Sequence, residues 1–493
     1  MAVNSELLAR VNFPLYCVRM LSDTHFLVGG GGGGANTGVA NGVEIFCLKH
    51  DGEDCTAELV TKYDTGKDSV MSCCSFRQGL KTFVAVGAEE KVKLLELRMK
   101  LKRSSDEGEV VSRTNSFSEG GLAGRGRHSS VRQRRRSSCV DTHPLDVNPL
   151  GGEGSPRPSP TTAEVLEDPF PPSDVPPSEG TRGRPRSTSV GSSLRKPSPP
   201  PSKDDKKVVY DVTPGLSTVT DFSHKDPYQK VVGCDPSPKP TWLVTGGADG
   251  HLRKWNVSDL EKVWDVEAHT KEIDDVDVSD DGERIVTVIK DEIARVWCVE
   301  TGKKLAEITF RPDPQVKYLF KRAKFAPIPD RKSDSNACFL ISGHNPIGKS
   351  SLPAYIAQWN GVTFDARKRV KFNETISALA TSPDGTFVAV GSMFTGSVAV
   401  YVAFSLQQVQ LVKNTHKSFV TGLAFVPRAM TYLTGPYEAS VVSISVDNAI
   451  KVVHVKERRS VTVGLATTVS LLALVGTFVG LRLAERSGVF LVN

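Results

Sequence analysis

Short apolar runs bounded by turn residues recur through this chain at roughly 40-residue spacing, the period of four-stranded propeller blades. A unit of that size cannot bury a core alone, so copies must stack and share their apolar faces. The clearest copy is WLVTGGADGHLRKWNV, Trp242 to Val257. Two strands there flank a tight Ala-Asp-Gly turn, and Trp255 stands near the end of the second, where WD repeats place their aromatic residue. The next copy, AHTKEIDDVDVSDDGERIVTVIKDEIARVWCV, opens with His269 and closes with Trp297. Copies from Ile376 and from Thr415 keep the spacing without the tryptophan, two more precede residue 100, and a longer, irregular one spans Thr301 to Asp365. The expected fold is all-β, a seven-bladed WD-repeat-like β-propeller.

A repeat fold explains how 493 residues can form one large domain. Blades one and two are expected in residues 1–99 and the others in 208–456. Between them, 100–207 is rich in Ser, Pro, Arg and Gly and cannot bury enough apolar surface to offset its ordering entropy, so a disordered insertion is expected. It carries arginine clusters, Arg132–Arg136 before Ser137 and Ser138, and Arg182–Arg186 before Ser187 and Ser189. These four serines are candidate phosphorylation sites, where phosphate would cancel positive charge. Contact with anionic lipid heads or nucleic acid, or a plain solvated tether, are the alternatives.

From Val461 to Leu481 the sequence carries no charge, and about 20 residues at 1.5 Å rise cover a hydrocarbon core of about 30 Å. One transmembrane helix is expected there, with 482–493 as a short luminal tail. Lys451, Lys456, Arg458 and Arg459 precede the span and bias the N-terminal part toward the cytosol. The nine scattered cysteines form no CxxC pair, and MAVNSELLARVNF is no apolar signal segment, both of which suit a reducing compartment. Gly476 and Gly480 have a helix-pairing spacing, but glycine is common in spanning helices.

Two glycine-bearing stretches match phosphate-binding patterns. Gly343-His-Asn-Pro-Ile-Gly348-Lys349-Ser350 follows an apolar strand as GxxxxGK[ST] requires, yet Pro346 removes a cradling amide and AYIAQWN, which follows, reads as a strand rather than a helix. The run Gly29–Gly34 is followed by VEIFCL, also a strand, so it joins two strands of one blade. Six glycines permit a curled backbone whose carbonyls point at a cation, with Thr37 and Asn41 supplying side-chain donors at the rim. His269, His416, Asp249, Asp281, Asp384 and Asp447 are expected to cap turns and satisfy buried backbone groups.

Taken together, FPLYCVRM, VGGGGGGANTGVANGVEIFCL, TDFSHKDPYQKVV, TGGADGHLRKWNVSDLEKV, SPDGTFVAVGSMFTGSVAVYVAFSLQ and the terminal RRSV-plus-span resemble the prolactin regulatory element-binding protein family. Its members are endoplasmic-reticulum exchange factors for the small GTPase that starts COPII coat assembly. The resemblance covers all but the insertion. It implies a first-blade loop that binds potassium through main-chain oxygens, here Gly32, Gly33, Gly34, Asn36, Thr37 and Gly38, and presses on the GTPase to promote loss of GDP. Asn41 matches the asparagine that matters for exchange, and Val39 and Ala40 match its neighbours, Ala40 standing where other members carry larger residues. Non-covalent exchange at the endoplasmic-reticulum membrane is thus the main expectation. A promoter-DNA-binding transcriptional regulator, for which no recognition helix or zinc motif is present, and a non-catalytic membrane-tethered scaffold are the alternatives.

Overall fold

The computed structural model describes residues 5–34, 38–50, 55–79, 81–103, 206–223, 227–329, 337–348, 352–427, 437–458 and 463–486. The candidate phosphorylation sites Ser137, Ser138, Ser187 and Ser189 lie outside them, as does nearly all of the expected insertion.

Twenty-eight strands form seven four-stranded antiparallel sheets. Blade one is β2 (Leu15–Met20), β3 (His25–Gly31), β4 (Asn41–His50) and β5 (Cys55–Asp64); blade two is β6 (Val70–Gln78), β7 (Lys81–Ala88), β8 (Lys91–Arg103) and β9 (Lys206–Val219). Blade three is β10 (Gln229–Cys234), β11 (Trp242–Gly247), β12 (His251–Asn256) and β13 (Lys262–Glu267), and blade four is β14 (Ile273–Val278), β15 (Arg284–Ile289), β16 (Ile293–Cys298) and β17 (Lys304–Thr309). Blade five is β18 (Tyr318–Pro327), β19 (Cys338–Pro346), β20 (Ala354–Asn360) and β21 (Ala366–Phe372); blade six is β22 (Ile376–Thr381), β23 (Phe387–Ser392), β24 (Val398–Val402) and β25 (Gln408–Val412). Blade seven takes β26 (Val420–Phe425), β27 (Tyr437–Ser445) and β28 (Ala449–Lys456) from one end of the chain and β1 (Glu6–Arg10) from the other. First strands of successive blades touch, and β26 touches β2, so the sheets close a ring as a seven-bladed β-propeller.

Burial falls from the second strand outward, which is what the sequence pattern records. WLVTGG of β11, RIVTVI of β15 and FVAVGS of β23 are buried throughout, so they read as continuous apolar runs, whereas the outer ARKRVKF of β21 is largely exposed and charged. The core fills the spaces between blades; Val286 and Val296 of blade four, for example, pack in one cluster with Phe320 and Leu340 of blade five. The tryptophan that closes a repeat is tied to the second strand: Trp255 Nε1 donates to Thr245 Oγ1 at 2.9 Å, Trp297 Nε1 to Thr287 Oγ1 at 2.8 Å and Trp359 Nε1 to Ser342 Oγ at 2.7 Å.

The polar residues of the repeats serve the turns. Asp249 accepts from the His251 amide, Asp281 from Glu283, Asp384 from Thr386 and Asp447 from Lys417 and Ala449. His269 and His416 point Nε2 at Thr287 and Ser443 hydroxyls. In the phosphate-loop match, Gly343–Pro346 belongs to β19 and pairs with β18, and Ala354–Asn360 is indeed a strand; Lys349 and Ser350 lie outside the described residues.

Three expectations need correction. The strands flanking the insertion reach Arg103 and start again at Lys206, and β9 pairs with β8, so the insertion interrupts blade two rather than following it. Thr213-Pro214-Gly215 hides that strand by reading as a breaker, which an outer strand tolerates. Likewise residues 1–99 are not two whole blades alone, because β1 pairs with β28 and completes blade seven. The expected span is helical, α1 running from Val463 to Arg486, but among the described residues no helix is long and apolar enough to cross a membrane.

Candidate functional site

The connection between β3 and β4 occupies residues 32–40, and the glycines at its start do two separate things. Gly30 and Gly31 are needed for fit: a Cβ on Gly30 would lie 1.9 Å from the Pro14 carbonyl oxygen, and one on Gly31 would lie 2.1 Å from Asn41 Oδ1. Gly31 also has φ +146° and donates its amide to Pro14 O at 3.0 Å. Gly33 and Gly38, with φ +76° and +75°, face open space, so they are needed for the curl of the backbone alone.

Asn41 opens β4, opposite Gly31, and is only 6% exposed. Its Oδ1 accepts from the Gly33 amide at 2.8 Å, and its Nδ2 donates to the Gly33 carbonyl at 3.3 Å and to the Gly66 carbonyl at 3.0 Å. Its own carbonyl accepts from Thr65 at 3.3 Å. One amide therefore clamps the root of the loop to the turn between β5 and β6. That turn is tied internally: the Gly66 amide donates to Asp64 at 2.7 Å, Thr65 Oγ1 to the Asp68 carbonyl at 2.7 Å, and Lys93 pairs with Asp68. The structure thus turns Asn41 inward as a positioning residue, and it leaves Gly34, Gly38, Val39 and Ala40 exposed. Val39 is 37% exposed. Asn36 and Thr37 lie outside the described residues. The residue that sequence reasoning missed is Gly66, whose carbonyl completes the clamp from another turn.

The surroundings are charged while the loop is not. Asp64, Asp68, Glu89 and Glu90 come from the neighbouring turns, with Lys91 and Lys93 among them. A main-chain amide and the Lys91 ammonium hold the Glu90 carboxyl below its usual range. Burial pushes the Tyr228 phenol up to about 12. Described residues of the loop bear no titratable side chain, so it can bind and reshape a partner but not move protons. For a cation, the donors on offer are main-chain oxygens at curled glycines, a hard, weakly charged set that suits a monovalent ion and not a transition metal. Among the described residues no cluster of three or more His, Cys, Asp or Glu could hold a metal. The Gly33 carbonyl already accepts from Asn41, which leaves Gly32, Gly34 and Gly38 as the less committed oxygens.

Comparison with known proteins fits this geometry. Residues 217–256 match the family model of the WD domain, G-beta repeat, a stretch that begins in the outer strand of blade two and ends in the third strand of blade three. Two relatives, from Rattus norvegicus and Mus musculus, are each called guanine nucleotide-exchange factor SEC12; each is 28% identical over 467 residues, 93% of this chain and 92% of the relative. This chain is similar to SEC12 along nearly its whole length. The family expected from the residues is borne out. SEC12-like protein 2 of Arabidopsis thaliana is 23% identical over 222 residues, 45% of this chain and 51% of its own.

Proposed function

We propose that this chain is a guanine-nucleotide exchange factor for the small GTPase that starts COPII coat assembly, with residues 32–40 pressed against the GTPase. The observation that carries this is the Asn41 clamp, which holds a glycine loop curled, with Val39 and Ala40 outward. A rigid loop that fits the nucleotide-free GTPase better than the GDP-bound form lowers the barrier to GDP release, and no covalent step is required. A potassium ion on main-chain oxygens of Gly32, Gly34, Gly38 and the residues between them would stiffen the loop further. Phosphate on Ser137, Ser138, Ser187 or Ser189 would neutralise the arginine clusters beside them.

The same reading places the chain at the endoplasmic-reticulum membrane, with the propeller in the cytosol and α1 against the bilayer. Its support is the apolar surface of α1. Leu471, Leu472, Leu474, Phe478 and Leu481 are 56–70% exposed and spread over about half of the helix circumference. Anchoring would raise the effective concentration of exchange factor beside membrane-bound GTPase.

The test is GDP release from the COPII GTPase by the full chain in liposomes, wild type and Asn41→Ala, in potassium and in sodium. Fast release by wild type, lost in the variant and slowed in sodium, is expected. A GTPase that binds the chain without faster release would leave a non-catalytic scaffold as the better account.

A further inference from the structure

A cavity of about 720 Å³ lies inside the ring, walled by the first strands of all seven blades. Three of its lining residues are thiols, Cys73 and Cys74 of β6 and Cys234 of β10, and Arg19 of β2 projects among them into solvent. All eight cysteines among the described residues are free thiols.

We propose that Cys74 and Cys234 are a peroxide-reactive dithiol that closes to a disulfide between blades two and three. The two sit on touching strands, and the Cys234 thiol donates to the carbonyl of Ser75, the residue after Cys74, at 3.5 Å. They are unequal. Cys234 is half-buried at the cavity wall, and the hydrogen bond from Cys74 holds its thiol below the ordinary value against burial, with Arg19 assisting and Asp235 and Asp277 opposing. Cys74 is 5% exposed, and that hydrogen bond together with burial pushes its thiol well above the ordinary value. The first has the character of an attacking thiolate and the second of a resolving thiol.

The chemistry balances with a hydroperoxide as oxidant. Cys234 thiolate attacks the O–O bond, giving a sulfenic acid and releasing water or an alcohol; Cys74 sulfur then displaces hydroxide, which leaves as water with the Cys74 proton. Two thiols and one hydrogen peroxide become one disulfide and two waters. Buried Cys55 and Cys338, with thiols pushed up to about 12 and about 11, should not react.

The reduced full chain would be treated with one equivalent of hydrogen peroxide, alkylated, digested without reductant and read by mass spectrometry, with circular dichroism as the folding control. A Cys74–Cys234 cross-linked peptide is expected, absent in Cys234→Ser, and forming at least about threefold more slowly in Arg19→Met but near the wild-type rate in Arg19→Lys. Folded wild-type protein in which Cys74 and Cys234 stay separate, or an Arg19→Met variant that reacts as fast as wild type, would overturn the proposal.

Discussion

Blades one and three make the same connection, second strand to third, in opposite ways. In blade three the link is Ala248–Gly250 and its closure is ionic. Asp249 meets Arg253 at 2.6 Å, and Arg253, 3% exposed, also reaches Asp265 at 2.9 Å and the Thr220 carbonyl at 2.8 Å. In blade one the link is residues 32–40, and the neutral Asn41 amide holds its root. Both rest on the same glycine frame: a Cβ on Gly247 would lie 1.9 Å from Asp221, much as one on Gly31 would meet Asn41. A propeller can therefore lengthen one turn into a working loop without loosening the strands below, provided that one buried group ties the loop down.

The largest effect that would separate the two should come from Arg253→Met. It leaves Asp249 nearly buried without its cation, so a loss of about 3 kcal/mol in urea unfolding is expected, with GDP release per folded molecule within about twofold of wild type. Asn41→Ala should do the reverse. Two or three clamp hydrogen bonds, at about 1 kcal/mol each, correspond to a fall in exchange of about thirtyfold with a smaller change in unfolding midpoint. If Asn41→Ala unfolds the chain instead, the loop is part of the framework and the contrast fails.

Acid should discriminate as well. His269 donates its amide to the Gly250 carbonyl, beneath the blade-three turn, and burial, with Arg295 adding, drives its imidazole down to about 4 from 6.5. The unfolded chain takes up a proton near pH 6.5 that the folded chain refuses until about pH 4, so stability is full above that window and falls as pH drops through it. A loss of about 3 kcal/mol is expected from this residue, with buried His25, His344, His416 and His454 shifted in the same direction. His269→Gln should flatten part of the slope in a pH series of urea midpoints, whereas the Asn41 clamp, being neutral, should not weaken in step. The smallest effect belongs to Gly33→Ala: its Cβ meets nothing, so only the left-handed backbone costs, about 1 kcal/mol.

What was legible in the sequence was local. Asp-Gly turns and strand-ending tryptophans gave the blade count, because both signals lie within one hairpin. The membership of β1 and β9 was not, since their partners lie at the opposite end of the chain and across the insertion. Asn41 is singled out by the resemblance, but its inward clamp depends on Gly66, which sits in a different turn. The thiol pair was hidden for the same reason: its members come from separate blades.

The closing strand also sets a timetable. Glu6–Arg10 is made first yet has no neighbour until Ala449–Lys456 exists, and the segment after it, Val11 to Pro14, donates one hydrogen bond to the Asn448 carbonyl and accepts one from the Gly31 amide at the foot of the glycine loop. During synthesis, then, the loop waits for the last strand before its buttress is complete. A nascent chain could not engage its partner early, and the propeller would mature only as α1 follows β28 out of the ribosome.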